Sequence, residues 1–337
     1  MTMIDFPHNQ SAHCESGVTA NLLTHGGIPL SEAMAFGIGS GLFFGYVPWI
    51  KMNYLPLITF RGAPGSIFRK ATRRLGVQIA KQKFRHPAAA RAAVDRLLEQ
   101  GVPVGAQTGA YWLPYFPAAL RFHFNGHNLV IIGREGDSYR ISDPVFPGLV
   151  DCPAADLERA RFSRGAMAPK GRIYYVKQMP ATVDLAGAVR RSIRDVCKVM
   201  LKTPVPYAGI RGMRLLARNL EAWPAKLGER KASLHLGHMI RMQEEIGTGG
   251  AGFRFIYAAF LQEAAALLAL PELEEMATRL TAIGDRWREF AVLGARQCKG
   301  RGEGPEVYRT LAEILRQCAS EEELFFKDLA LLIGRKG

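Results

Sequence analysis

The chain has 337 residues, of which 48% are hydrophobic and 22% charged, the composition of an ordinary globular protein. The first residues, MTMIDFPHNQ, contain no basic region followed by an apolar one, so we expect no secretory signal. Five scattered cysteines without a CxxC pair support neither a structural zinc site nor a disulfide framework. We therefore expect a cytoplasmic protein that holds no metal ion.

One cysteine, Cys14, opens the first predicted helix, which covers residues 15–25 and ends at Gly26. The unpaired N–H groups and the dipole of a helix N-terminus are expected to lower the pKa of this thiol and favour the nucleophilic thiolate. The same N–H groups can donate hydrogen bonds to an oxyanion. The other four cysteines have the contexts of small apolar residues or surface thiols.

A second helix is predicted to start after Ser31, with Glu32 in its first turn. It leads into residues 33–50, an uncharged stretch at the lower length limit for a membrane span. Four glycines and a proline interrupt the stretch, so we favour a buried, glycine-packed core segment and predict no membrane span. Glu32 and the glycines at 37, 39 and 41 either are structural or line a pocket.

The net charge of +14 is unevenly distributed. Residues 61–91, called the basic segment below, contain nine Lys or Arg residues and no acid. Such a segment attracts an acidic partner, or it is a solvated basic face. Because no nucleic-acid motif accompanies it and few aromatic residues interleave with it, we predict no nucleic-acid partner.

The secondary-structure signals change near residue 180, which we predict as a domain boundary. Residues 1–180 form an α+β domain with an antiparallel sheet, and residues 181–337 form an all-helical domain. The first domain has a further helix over residues 88–100, followed by predicted strands. These strands cover residues 102–106, 120–124, 128–133, 139–142 and 172–177, and the third and fourth are joined by the turn REGDS.

Two later residues complete a catalytic pattern with Cys14. His127 begins one predicted strand, and Asp143 directly follows the neighbouring strand of the same hairpin, so the two side chains can lie side by side. A nucleophile, a base and a residue that orients the base, in this chain order, are typical of papain-like cysteine enzymes. His123 competes as the base, and His13 is adjacent to the thiol and could shape the site instead.

The oxyanion that forms during acyl transfer usually needs a second donor besides the backbone of the nucleophile. A side chain shortly upstream of the cysteine often supplies it in papain-like enzymes. His8 and Gln10 are the candidates in this chain.

Three runs, HCESGVTANLLTHGGIPLSEAMAFGIGSGLFFGY (13–46), GAYWLPY (109–115) and HNLVIIGREGDSYRISDP (127–144), resemble the N-terminal domain family of butirosin biosynthesis protein H. The helical half resembles the domain of unknown function that commonly follows it, through GIRGMRLLARNLEAW (209–223) and GGAGFRFIYAAFLQEAA (249–265). Together the two matches cover most of the chain. Butirosin biosynthesis protein H itself, after which the family is named, moves an aminoacyl group from an acyl carrier protein to the amine of an aminoglycoside.

The resemblance implies a papain-like acyltransferase in which Cys14 forms a thioester, His127 acts as base and acid, and Asp143 orients His127. The helical domain would cover the active-site cleft, and Arg254, Tyr257 and Glu263 are the candidates there to face it. Many members are expected to have an acidic residue before LPY. This chain has Thr108-Gly109 there, which leaves the acceptor specificity open.

Three functions remain open from the sequence. The first is acyl or aminoacyl transfer from an acidic acyl carrier protein to an amine of a small molecule in specialised metabolism, with no cofactor beyond the phosphopantetheine thioester on that partner. The second is a cysteine peptidase or amidase, because the same residues hydrolyse amides when water is admitted. The third is a non-catalytic binding protein that has kept the fold.

Overall fold

The computed structural model describes residues 2–52, 54–301 and 304–335. Its strands are β1 (Thr2–Met3), β2 (Leu42–Met52), β3 (Leu55–Arg61), β4 (Gln78–Gln82), β5 (Val104–Thr108), β6 (His127–Glu135), β7 (Ser138–Ser142), β8 (Val150–Pro153) and β9 (Ile173–Gln178). Its helices are α1 (Cys14–His25), α2 (Glu32–Ile38), α3 (Ser66–Arg74), α4 (Pro87–Glu99), α5 (Ala154–Arg161), α6 (Leu185–Lys202), α7 (Gly209–Leu227), α8 (Glu229–Glu244), α9 (Arg254–Leu268), α10 (Glu272–Cys298) and α11 (Glu306–Arg335).

The chain divides into two compact units. The first comprises residues 1–35 and 67–183, and the second comprises residues 36–66 and 184–337. The chain thus leaves the first unit within α2, returns to it within α3, and leaves it again after residue 183. The predicted boundary near residue 180 lies close to this last crossing, whereas residues 36–66, predicted as part of the first domain, belong to the second unit.

The first unit is built on an antiparallel sheet whose strand order differs from the chain order. The strand order is β4-β9-β5-β6-β7-β8, and β1 adds to β6. The central strand β6 is apolar from Leu129 to Ile132, and these four residues are fully buried. A strand that is buried on both faces of the sheet must be packed against other elements on each face. α1 provides part of this packing, since its Val18 and Leu22 belong to the same hydrophobic core cluster as β6. The sheet therefore holds α1 against β6.

α1 is a core helix, since every residue from Cys14 to Leu23 is buried. Gly17 lets it approach the chain that follows β7, because a Cβ at this position would lie 2.6 Å from Pro144 Cβ and 2.7 Å from Ser11. The backbone N–H of Ser11 donates to the carbonyl oxygen of Pro144 at 2.6 Å in the same place. The N-terminus of α1 is thus fixed beside the end of β7.

Most predicted elements of the first unit are present. The helices expected at 15–25 and 88–100 correspond to α1 and α4, and the REGDS turn joins β6 to β7. The strand predicted at 120–124 is wrong: a 3₁₀ turn over Ala118–Leu120 leads into irregular chain. Its hydrogen bonds are made locally, because Arg121 donates from Nε to the carbonyl oxygen of Phe116 at 2.7 Å. Residues 120–124 are therefore not part of the sheet, although their aromatic and apolar composition predicted a strand.

The second unit is helical except for the antiparallel hairpin of β2 and β3. The glycine-containing stretch 33–50 forms the end of α2 and much of β2, and from residue 33 to 47 all but Phe43 are buried. Its core packs Phe44 and Phe60 of the hairpin against Trp287 of α10, with ring centroids 6.2 and 5.5 Å apart. This packing explains why the hairpin belongs with the helices. The predicted class, an α+β part with an antiparallel sheet followed by an all-helical part, is confirmed.

One helical stretch in the described part of the chain, Ala251–Leu268, is long and apolar enough by composition to cross a membrane. Within the protein 61% of it is buried, as in a helix of a protein core.

We predict that Gly17→Ala destabilises the protein by about 1–3 kcal/mol, because its methyl group has no room against Pro144. The direction of the change in stability is informative, because Ala normally stabilises a helix by about 1 kcal/mol relative to Gly. Urea denaturation measures the change. Gly148→Ala is the control, because a Cβ there meets no atom within 4 Å. A Gly17→Ala protein as stable as the wild type would contradict the close approach.

Candidate active site

Cys14 is the first residue of α1 and is only 8% exposed. His13 precedes it as the N-cap residue, and its Nδ1 accepts from the backbone N–H of Ser16 at 3.3 Å and lies 2.9 Å from Ser16 Oγ. This cap satisfies one of the four N–H groups that a helix start leaves without an intrahelical partner. His13 therefore shapes the helix start that presents the thiol, as one of the sequence alternatives proposed.

Glu32 holds the chain immediately before the thiol. Its carboxylate accepts from the backbone N–H groups of Ala12 at 2.9 Å and His13 at 2.7 Å, and from Ser16 Oγ at 3.0 Å. Burial raises the pKa of Glu32, while these three hydrogen bonds lower it in part. An ionised carboxylate only accepts hydrogen bonds, so Glu32 positions the nucleophile and supplies no donor for an oxyanion.

His127 is the first residue of β6 and is 5% exposed. Its Nε2 lies 2.7 Å from Asp143 Oδ2, and Cys14 is near enough to act on the electrostatics of the imidazole. Because Asp143 occupies Nε2, Nδ1 is the nitrogen that remains for the thiol. The structure thus brings together the three residues of the predicted pattern.

The electrostatics of this group favour a protonated imidazole. Burial by itself lowers the pKa of His127, but the charge of Asp143, the hydrogen bond to Asp143 and the proximity of Cys14 raise it to about 10. At neutral pH His127 then carries a proton. The site therefore holds a protonated imidazole next to the thiol of Cys14.

Asp143 follows β7 and is fully buried. Its Oδ2 also accepts from the hydroxyl of Tyr115 at 2.9 Å, and its Oδ1 accepts from the backbone N–H of Val145 at 3.2 Å. Burial and the neighbouring charge of Asp143 raise the pKa of Tyr115 well above its ordinary value, so the hydroxyl stays a donor. These donors compensate a carboxylate that would otherwise be costly to bury.

Tyr115 and Phe116 are site residues that sequence reasoning missed. The ring of Phe116 meets the imidazole of His127 edge-on, with centroids 5.2 Å apart and planes at 87°. Tyr115 lies in GAYWLPY, a run that carried the family resemblance, so the signal was present without a role attached. Asn128 is a third missed residue, because its Nδ2 lies 3.9 Å from Cys14 Sγ.

The structure gives a steric reason for a glycine at position 109. A Cβ at Gly109 would lie 2.5 Å from Ser163 Oγ and 2.8 Å from Asn125 Oδ1, so a side chain there would require these two side chains to move. Asn125 in turn ties the chain before His127 to the loop after α5, through donation to the carbonyl oxygens of Arg164 and Ala166 at 3.0 and 2.9 Å.

The upstream candidates for the oxyanion hole are engaged or exposed. His8 Nδ1 lies 2.8 Å from Ser142 Oγ, and its Nε2 lies 3.0 Å from the carbonyl oxygen of Phe146, so His8 clamps the N-terminal segment onto the end of β7. The side chain of Gln10 is exposed. The competing base His123 is also exposed and stacks on Tyr111, with ring centroids 4.1 Å apart.

The residues predicted from the helical half occupy different environments. Arg254 is fully buried and donates from Nε and Nη2 to the two carboxylate oxygens of Glu322, both at 2.9 Å. Its guanidinium carbon lies 4.9 Å from the ring centroid of Trp287. Tyr257 is also fully buried, next to Phe260, whereas Glu263 is exposed. The expectation that Arg254 and Tyr257 face a cleft is therefore wrong, because both side chains are core groups of the second unit.

The arrangement of a thiol at a helix start, an imidazole on a strand and a buried carboxylate directly after the next strand is that of a papain-like cysteine enzyme. A solved crystal structure described as a C39-like peptidase from Bacillus anthracis is similar over 53% of this chain and 100% of its own, with 19% identity and a TM-score of 0.37. No curated protein matches the chain in sequence.

Two family models match the chain. Residues 13–144 match the model described as butirosin biosynthesis protein H, N-terminal, and residues 155–329, just over half of the chain, match the domain of unknown function DUF4872. The first match contains Cys14, His127 and Asp143. The chain therefore belongs to the DUF4872 family, and its residues 13–144 are similar to the N-terminal domain of butirosin biosynthesis protein H.

Proposed function

We propose that this protein is a cysteine-dependent acyltransferase. It takes an acyl or aminoacyl group from the thioester of a carrier protein, holds it on Cys14, and passes it to the amine of a small molecule. The observation that carries the proposal is the buried Cys14–His127–Asp143 group within a domain of the butirosin biosynthesis protein H type.

In the first half-reaction the Cys14 thiolate attacks the carbonyl carbon of the carrier thioester. The tetrahedral intermediate collapses with cleavage of the bond to the pantetheine sulfur, and His127 gives its proton to that leaving thiolate. The products are an acyl-Cys14 thioester, a free carrier thiol and a neutral His127. One thioester replaces another, so the step is nearly isoenergetic and needs no ATP.

In the second half-reaction the amine attacks the acyl-Cys14 carbonyl. Neutral His127 takes a proton from the amine, an amide bond forms, and the Cys14 thiolate leaves. The imidazolium and thiolate are restored for the next cycle. Asp143 stabilises the protonated imidazole in both halves, and the low exposure of Cys14 and His127 supports exclusion of water from the acyl-enzyme.

The first unit offers a surface for the acidic partner. Lys81, in the basic segment, lies opposite Tyr174 across the β4–β9 pair, and its Nζ is 6.0 Å from the ring centroid of Phe68. Burial and the positive charge of Arg69 lower the pKa of Lys81, with Arg172 adding to the effect and Glu15 opposing it. We call Arg69, Lys81 and Arg172 the basic surface. Crowded like charges are relieved when an acidic protein binds.

A phosphopantetheine thioester on that carrier, rather than a resident cofactor, would then supply the acyl group. A cytoplasmic location, expected from the sequence, stays a prediction.

We predict that the wild-type protein incubated with acyl- and aminoacyl-pantetheine thioesters gains the mass of the acyl group, and that Cys14→Ser does not. Adding a panel of primary amines should discharge the adduct as acylated amine, which liquid chromatography with mass spectrometry detects. Cys298→Ser is the matched control, because Cys298 is the only partly exposed one among the five cysteines. Release of free acid alone, with no acylated amine from any donor, would favour a hydrolase instead.

We predict that the pKa of His127 falls from about 10 in Asp143→Asn, because the variant keeps an acceptor for Nε2 but removes the raising charge. A raised pKa means that the protonated state is favoured by folding. In the wild type this contribution to stability is full below about pH 6.5 and is lost as the pH rises towards 10.

The measurements are NMR titration of the His127 ring and the free energy of unfolding between pH 6.5 and 10. Tyr115→Phe is the control, since it removes a donor to Asp143 but keeps the carboxylate, and its effect on the pKa of His127 should be smaller. An unchanged pKa in Asp143→Asn would show that the carboxylate does not control the base.

We predict that charge reversal of the basic surface, as Arg69→Glu with Lys81→Glu, slows loading from an acidic acyl carrier protein but not from a free pantetheine thioester. Raising the salt concentration should slow carrier loading of the wild type in the same way, because exposed charges are screened beyond about 8 Å at physiological ionic strength. Arg230→Glu, an exposed position at the start of α8, is the control. If the loading rate falls equally with both acyl donors, the substitutions impair the chemical step rather than the docking of the carrier protein, which would contradict the prediction.

A further inference from the structure

The side-chain amide of Asn128 lies beside Cys14. The roles proposed for Cys14 and His127 give this amide no function. Asn128 is the second residue of β6 and is 5% exposed. Its Nδ2 lies 3.0 Å from the carbonyl oxygen of Gly126 and 3.9 Å from Cys14 Sγ. An amide nitrogen carries two N–H groups, so one can bind Gly126 while the other faces the sulfur.

The orientation of this amide is imposed by a second buried residue. The hydroxyl of Tyr174 donates to Asn128 Oδ1 at 2.9 Å, which turns the nitrogen towards the thiol. Burial raises the pKa of Tyr174 well above its ordinary value, so the hydroxyl keeps its proton and donates to Oδ1 across the working range of pH.

Sheet packing keeps Tyr174 in place. Tyr174 pairs with Gly105 of β5, and a Cβ at Gly105 would lie 2.3 Å from the tyrosine ring, so the ring covers the bare backbone of that glycine. Phe68 also packs against Tyr174, with ring centroids 4.7 Å apart. The amide of Asn128 is therefore preorganised rather than free to turn.

The distance suits a donor to the reaction intermediate better than a donor to the resting thiol. When Cys14 attacks a carbonyl, the oxyanion forms two bonds away from Sγ. A nitrogen 3.9 Å from Sγ can thus come within about 3 Å of that oxygen, the range of an effective oxyanion donor. His8 is held on Ser142 and Phe146, and Gln10 is exposed, so neither upstream side chain competes for this position.

We propose that Asn128 donates from Nδ2 to the oxyanion formed on acylation of Cys14, together with the backbone N–H at the start of α1, and that Tyr174 orients it. The inference rests on the proposed acyl-enzyme but not on the identity of the acyl donor. No bond to Asn128 forms or breaks. Its N–H stabilises the negative charge on oxygen while Sγ bonds to the carbonyl carbon and the leaving group departs with its electron pair.

The test uses two small probes with the full-length protein. Acylation of Cys14 by p-nitrophenyl acetate passes through an oxyanion, whereas alkylation by iodoacetamide does not, so the pair separates oxyanion stabilisation from thiol reactivity. Both rates are followed by mass spectrometry of the intact protein. In Asn128→Leu, which keeps the branched shape but has no donor, we expect acylation to fall by about 10²–10³-fold and alkylation to stay at the wild-type rate.

Tyr174→Phe keeps the amide and removes only the hydroxyl that orients it. We expect a smaller loss of acylation, again without a change in alkylation, and this variant keeps the test decisive if Asn128→Leu does not fold. Wild-type acylation rates in both variants would overturn the proposal. Parallel losses of acylation and alkylation would also overturn it, because Asn128 would then act on the thiol itself.

Failure of the two proposals is distinguishable. If p-nitrophenyl acetate acylates Cys14 in a manner that depends on Asn128, while no carrier or pantetheine thioester does so, the oxyanion assignment stands and the acyltransferase proposal falls. If not even p-nitrophenyl acetate acylates the wild-type thiol, the oxyanion assignment falls as well.

Discussion

The candidate site depends on the buried carboxylate of Asp143. A fully buried charge is tolerated only with strong compensation, and Asp143 receives it from His127, from the hydroxyl of Tyr115 and from the backbone N–H of Val145. Each donor therefore has an energetic reason to stay in place. The orientation of the His127 ring, and with it the nitrogen presented to Cys14, follows from this one constraint. The edge-on contact of Phe116 restricts the ring further.

The nucleophile is fixed to the same point by a separate set of contacts. Cys14 is far from Asp143 in sequence, yet Ser11 bonds the carbonyl oxygen of Pro144, and His8 bridges Ser142 and Phe146. Glu32 holds the two N–H groups just before the thiol. These contacts attach the start of α1 to the chain around the end of β7, where Asp143 lies. They therefore fix the position of the Cys14 thiol relative to the Asp143 carboxylate.

Local signals predicted much of this arrangement. A cysteine at a helix start, a turn between two apolar strands and helical periodicity after residue 180 depend on neighbouring residues, and such patterns can be recognised in one sequence. Contacts between distant segments could not be predicted in that way. Tyr115 reaches Asp143 across 28 positions, Asn128 reaches Cys14 across 114, and Arg254 finds a buried partner 68 residues away. Arg254 was expected to face a cleft because it lies in a run that carries the family resemblance, and no local pattern distinguishes a buried ion pair from an exposed arginine.

The same charges bear on how one imidazole would serve both half-reactions of the proposed acyl transfer. In the resting site Cys14 is among the groups that raise the pKa of His127. Acylation removes that contribution, and His127 has by then given its proton to the leaving thiol. Burial, which lowers the pKa of His127, is then opposed by Asp143 without the contribution of Cys14, so the pKa of His127 falls when the amine is to be deprotonated. Acylation thus shifts the imidazole towards its neutral form. The choice between amine and water then depends on which of them reaches the neutral imidazole, because the base accepts a proton from either.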